Sequence, residues 1–238
     1  MKYLKVLFTA GIGWWMAGPI GGIIGMIIGH LIENSSLQQT VPFASQRNGF
    51  VASLLVLMAA VMKADGKVLK SELDFVKMHL RSILGEEQSL QALMVLKEVL
   101  KKDIPLAEVC HQIRVNLDYN AKIQLLHLLY GLAKADGSLV AGEVKVIYNI
   151  SRMLGISEAD YQSVLNMFYQ SPESAYKILE VDASVSNEEL KKAYRKMAIR
   201  FHPDKVSHLG EEFQASAKEK FQKVNEAYEQ LKKERGMN

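Results

Sequence analysis

At 238 residues the chain has room for one large domain or two small ones with an appendage, and 49% hydrophobic residues suffice for a packed core. A formal charge of +3, dispersed along the chain, excludes a dedicated nucleic-acid binder. Cys110 is the single cysteine, which excludes an internal disulfide framework and any multi-cysteine zinc site; it reads as a small buried apolar residue in a helix.

The chain opens with an uncharged apolar run, Val6 to Gly29. As a helix these residues would span about 36 Å, enough for a bilayer core with some tilt. A cleaved signal peptide has a shorter apolar region and a small-x-small cleavage site, whereas this run passes into His30-Leu31-Ile32-Glu33. A buried core helix would tolerate fewer glycines. Residues 1–33 are therefore expected to be a single-pass membrane anchor in contact with lipid. Gly21, Gly25 and Gly29 recur every four residues and lay a smooth stripe along one helix face, a candidate surface for homodimerisation. Lys2 and Lys5 before the span, against Arg47 after it, would place the N-terminus inside, but the bias is small.

Residues 34–46 read as a polar connector with Ser35-Ser36 and Pro42. A helical domain is expected over 47–170. Val51, Leu54, Leu55, Met58, Val61 and Met62 follow the i, i+3, i+4, i+7 pattern, which recurs at Ile123, Leu126, His127 and Tyr130. An internal repeat organises this stretch. Lys63-Ala64-Asp65-Gly66 and Lys134-Ala135-Asp136-Gly137 each follow an apolar helix, and each aspartate has a glutamate seven residues later, Glu72 and Glu143. Each copy reads as helix, glycine stop, turn and new helix, with the glutamate in the first turn, where the macrodipole favours acids.

The twin pattern resembles the TerB-like helical domain over roughly Asn48 to Phe168. That resemblance implies Asp65, Glu72, Asp136 and Glu143 as candidate metal ligands, although they do not form an EF-hand loop. The competing reading makes the aspartates turn formers and the glutamates helix-start residues. No enzymatic constellation emerges: Gly-x-Ser-x-Gly, His-Glu-x-x-His and a phosphate-cradling glycine loop are all absent. His79, His111 and His127 read as packing or surface residues.

Ser171-Pro172 marks the next boundary, and residues 172–238 read as a separate helical module. Ala175 to Val181 is a short helix anchored by Tyr176 and Leu179. Ser186-Asn187-Glu188-Glu189 spells a capping box. The helix it opens puts Leu190, Ala193, Tyr194, Met197, Ala198 and Phe201 on its packing side, leaving Lys191, Lys192, Arg195, Lys196 and Arg200 on the rest. Pro203 stops it. His202 and Asp204 are then held on an exposed loop before a second amphipathic helix, about Glu211 to Lys233, which pairs with the first as an antiparallel hairpin.

Tyr176-x-x-Leu179, Ala193-Tyr194-Arg195, His202-Pro203-Asp204 and Ala227-Tyr228-Glu229-x-Leu231 together resemble the J domain. The resemblance implies binding to a DnaK-type chaperone: Lys191, Tyr194, Arg195 and Lys196 as docking positions, His202, Pro203 and Asp204 as the trigger of ATP hydrolysis. Asp204 is expected to meet an arginine of the chaperone. Glu180 stands where the family often has glycine, and is expected to alter a loop but not the docking face.

The fold class is thus expected to be all-α: an N-terminal transmembrane helix, a TerB-like helical bundle and a C-terminal J-domain hairpin. The order resembles the DjlA-like membrane-anchored co-chaperones of Gram-negative bacteria. It implies a non-enzyme, without cofactor, that stimulates the chaperone at the inner membrane with its C-terminal domains cytoplasmic. The alternative is an ion-binding stress module that uses the J domain only for recruitment. One departure stands out. Those relatives carry a long polar linker before the J domain, whereas here Phe168 to Glu173 is nearly all there is, so the J domain is expected to be held against the helical domain.

Overall fold

The computed structural model describes residues 18–23, 46–169 and 174–237, and among these the regular structure is entirely helical. Helix α1, Gln46–Met62, lies at the centre. It is apolar almost all round, with Phe50, Leu54, Val56, Leu57, Met58, Val61 and Met62 fully buried, so it is stable only when covered on every side. Each such side chain contributes about 1.5–3 kcal/mol by leaving water. The cover comes from α2 (Lys70–Val99), α3 (Leu106–Asn116), α4 (Tyr119–Ala133), α5 (Ala141–Leu154) and the later 3₁₀ segment Pro203–Leu209, while α6 (Glu158–Asn166) packs on α4. Helix α2 bends at Gly85, whose φ of 78° no other residue type adopts without strain.

Local chemistry sets the helix starts. The Asp118 carboxylate accepts the Ala121 N–H at 2.9 Å to open α4, and the Ser157 hydroxyl accepts the Asp160 N–H at 3.2 Å to open α6. The twin turns also match each other: Asp65 accepts the Lys67 N–H at 3.0 Å and Asp136 the Ser138 N–H at 2.9 Å.

The C-terminal module comprises α7 (Ser174–Ile178), α8 (Asn187–Arg200), a 3₁₀ segment (Pro203–Leu209) and α9 (Glu211–Glu234). Ser186 and Glu189 form the reciprocal capping box that opens α8. Helices α8 and α9 run antiparallel: Phe201 lies by Lys220, Tyr194 stacks on Tyr228 at 4.2 Å, and Arg235 reaches Asn187. The Arg235 guanidinium clasps the module by donating to Tyr176 Oη and to the carbonyls of Val185 and Ala183.

This module is packed against the helical domain, and the buried residues of the two form one continuous cluster. Phe213 meets Phe50 edge to face at 4.5 Å. Gln124 of α4 donates to Ser216 Oγ at 2.6 Å and accepts from the Lys220 ammonium. Ser163 donates to the Ile178 carbonyl at 2.8 Å.

No helix among the described residues is long and apolar enough to cross a membrane. Of the expected span over Val6 to Gly29, only residues 18–23 are described, as a short helical stretch; the rest of the span, including Gly25 and Gly29 of the glycine stripe, and the connector before Gln46 lie outside the described residues. Ile20 is buried against the helical domain, its N–H donating to Gln112 Oε1 at 2.9 Å.

Candidate functional site

Helix α8 is two-faced. Leu190 and Met197 are buried against the module's core, while Lys192, Arg195, Lys196 and Ile199 are exposed. Lys191 is half-buried, 4.0 Å from Glu188 one turn earlier. Tyr194, grouped by sequence with the docking residues, is held in the hairpin: it stacks on Tyr228 and donates to Asn225 Oδ1 at 3.1 Å. The basic face is therefore a band of largely exposed cations along one side of the helix, suited to steering towards an acidic surface. Ile199, 65% exposed, adds an apolar spot beside it that charge counting passed over.

The helix stops as Pro203 demands, but the trigger is not an open loop. His202 caps a 3₁₀ turn that Pro203 begins. The Asp204 N–H donates to His202 Nδ1 at 3.3 Å, the Lys205 N–H to the His202 carbonyl at 2.9 Å, and the Ser207 hydroxyl to the Asp204 carbonyl at 2.9 Å. The His202 ring meets Phe221 edge-on at 5.8 Å. The backbone of the turn is thus satisfied internally, while the Asp204 side chain is 82% exposed and that of His202 49%.

Glu180 departs from expectation. It is the one described non-glycine residue with positive φ, at 56°. Its carboxylate accepts from Arg200 at 2.6 Å and lies 3.4 Å from Lys196. It therefore reaches the basic helix itself and does more than alter a loop: Arg200 is committed inside the chain and Lys196 is lightly tethered.

The paired acids of the helical domain separate into two kinds. Asp65 and Asp136 face solvent in their turns, whereas Glu72 and Glu143 are buried and face each other. Glu72 accepts the Leu69 N–H at 2.6 Å, and Glu143 accepts from the Val140 N–H. Glu72 Oε1 has no hydrogen-bond partner among the described residues. Two carboxylates fall short of the six or more oxygens that a hard divalent cation takes. No group of three or more His, Cys, Asp or Glu among the described residues is placed to hold a metal.

Burial pushes the Glu143 carboxyl up to about 7, and the nearby Glu72 adds to the shift. A raised folded-state pKa gives stability that is present below the ordinary carboxylate range and lost as pH rises towards 7. Glu143→Gln keeps the acceptor for Val140 and offers an N–H to Glu72. It is expected to stabilise the protein by about 1–2 kcal/mol at pH 8 and by almost nothing at pH 4.5. Denaturant melts at the two pH values check this; an equal effect at both would refute the shared burial cost.

Burial also pushes the Cys110 thiol up to about 12, in keeping with a packing role.

A basic, capped helix ending in an exposed His-Pro-Asp turn, hairpinned to a second helix, is the geometry of a J domain. The DnaJ domain family model matches residues 174–236, and that of the tellurite resistance protein TerB matches residues 52–166. The chain is thus a J-domain co-chaperone carrying a TerB domain. It belongs to the DjlA family of co-chaperones. It is similar to the co-chaperone protein DjlA of Vibrio vulnificus strain CMCP6, 31% identical over 81% of this chain and 80% of the relative. The DjlA proteins of Coxiella burnetii, 27% identical over the full length of both chains, and of Escherichia coli K12, 28% identical over 99% of each, are likewise similar. No solved structure gave a significant match.

Proposed function

We propose that this protein stimulates ATP hydrolysis by a DnaK-type chaperone at the bacterial inner membrane. The exposed His202-Pro203-Asp204 turn at the end of an exposed basic helix carries this reading. Lys191, Lys192, Arg195 and Lys196 steer the encounter by charge, and the turn then acts on the chaperone's switch to hydrolysis. No group in the site is asked to do chemistry: the effect on ATP lies in the partner, whose equilibrium the bound turn biases. Residues 6–29 anchor the chain in lipid as a single pass once Ile20 leaves its place against the helical domain and gives up its bond to Gln112 Oε1, with the TerB and J domains cytoplasmic, where the chaperone works. Gly21, Gly25 and Gly29 supply the face on which two anchors would pair.

The test is single-turnover ATP hydrolysis by the cognate chaperone, with and without the full chain reconstituted in vesicles. Hydrolysis should accelerate, and the chain should stay with the vesicles through an alkaline wash. Unchanged hydrolysis would sink the co-chaperone mechanism; release by the wash would sink the anchor.

A further inference from the structure

The trigger turn is tethered to the TerB domain on both sides. Upstream, Arg200 ends α8 two residues before His202, and its Nη1 donates to Asp160 Oδ1 and to Glu180 Oε1, each at 2.6 Å. Asp160 belongs to α6 of the TerB domain and is 2% exposed. Tyr119 Oη and Ser157 Oγ also donate to it, at 2.7 and 2.5 Å, so the carboxylate that receives Arg200 is itself fixed in place. Downstream, the 3₁₀ segment lies against α1 and α4, with Val206 and Leu209 buried and His208 Nε2 2.9 Å from Asp118 Oδ2. Between the two tethers the side chains of His202, Asp204 and Lys205 stay exposed.

A turn held at one end can pivot about it; one held at both ends has a single orientation. We infer that Arg200 is a positioning residue, through which Asp160 of the TerB domain and Glu180 of the J domain set the orientation in which the His-Pro-Asp turn meets the chaperone. The inference rests on the co-chaperone reading above. Arginine suits the role because its charge is permanent and the two N–H groups of one planar nitrogen, Nη1, can serve both carboxylates at once. Glu180 points the same way. A non-glycine residue in the left-handed region is strained, and here that conformation places its carboxylate on Arg200. The TerB domain thereby becomes part of the stimulating apparatus and not only a spacer between membrane and J domain.

The test uses Arg200→Gln, Arg200→Lys and Asp160→Asn in the full chain, with two readouts. Hydrogen exchange at the amides of 204–209 should be about tenfold faster in Arg200→Gln and Asp160→Asn, with the middle of α8 and α9 unchanged. Maximal stimulation of single-turnover hydrolysis should fall about tenfold while the half-saturating concentration moves less than about twofold, because the basic docking face is intact. Arg200→Lys should restore part of both. Exchange and maximal stimulation at the level of the unsubstituted protein would overturn the inference. So would faster exchange throughout α8 and α9, which marks a purely structural role. If the unsubstituted chain fails to stimulate, the co-chaperone reading falls, and the exchange readout alone decides the positioning.

Discussion

Replacing Lys220 by methionine is expected to make the protein more stable at pH 7 and less stable above about pH 9. Lys220 lies on α9 where it faces the TerB domain, 2% exposed. Its ammonium donates to Gln124 Oε1 and sits 5.9 Å from the centre of the Phe201 ring, and among the described residues no carboxylate pairs it. Burial alone lowers its pKa from 10.5 to about 7. A depressed folded-state value means that the unfolded chain binds more protons. Stability is then fully present above pH 10.5 and is lost progressively as pH falls to 7. That shift corresponds to about 5 kcal/mol at neutral pH. Methionine removes the cost and fills the same channel, but strands Gln124 Oε1, which takes back about 1–3 kcal/mol. The net expectation is a gain of about 2–3 kcal/mol at pH 7, crossing zero near pH 9, where the two effects are equal. Urea melts of both proteins followed by circular dichroism between pH 6.5 and 10.5 would check it. A difference that does not change with pH would mean that Lys220 keeps its charge inside the interface.

Much of the J domain could be read from the chain because its determinants are local. The capping box needs only Ser186 and Glu189, three residues apart, and the helix stop only Pro203. The twin turns of the TerB domain are likewise self-contained, each aspartate bonding an amide two residues on. What escaped the sequence is the surface between the domains, where the partners are distant: Lys220 and Gln124 are 96 residues apart, Arg200 and Asp160 40. One sign was nonetheless present. Phe213, Ala217, Lys220, Val224, Ala227 and Leu231 follow alternating steps of four and three, and all are buried. A lysine on that stripe announces that its ammonium finds a buried acceptor; only the fold says that the acceptor is Gln124. Arg200, by contrast, looks like any other cation of a solvated face, and nothing in the chain before folding separates it from Arg195. Glu180 in a place usually taken by glycine was visible as an oddity, but its reach to Arg200 depends on the left-handed backbone that the fold imposes.

That division of labour on α8 makes the trigger and the basic face separable by experiment. His202→Gln and Asp204→Asn are each expected to reduce stimulated ATP hydrolysis to within about twofold of the basal rate while leaving the half-saturating concentration almost unmoved. Neither side chain packs the core. His202 keeps one bond to the Asp204 N–H and an edge contact with Phe221, and the Asp204 carboxylate is mostly in water, so stability should change by no more than about 0.5 kcal/mol. The expected contact of Asp204 with an arginine of the partner would then form only in the hydrolysis-competent complex, so that removing the charge costs about 2–5 kcal/mol there, lowering the maximum and not the docking. Charge reversal at Lys192 and Arg195 should do the opposite: the half-saturating concentration rises about tenfold or more and the maximum is kept. Salt serves as the control. Raising it weakens encounter through the exposed cations, because screening acts on charges that face solvent, but it should neither mimic nor rescue loss of the turn. Titrations of each variant at low and high ionic strength, with melting curves to confirm folding, decide the matter. If His202→Gln raised the half-saturating concentration and kept the maximum, the turn would be part of the docking surface and not the switch.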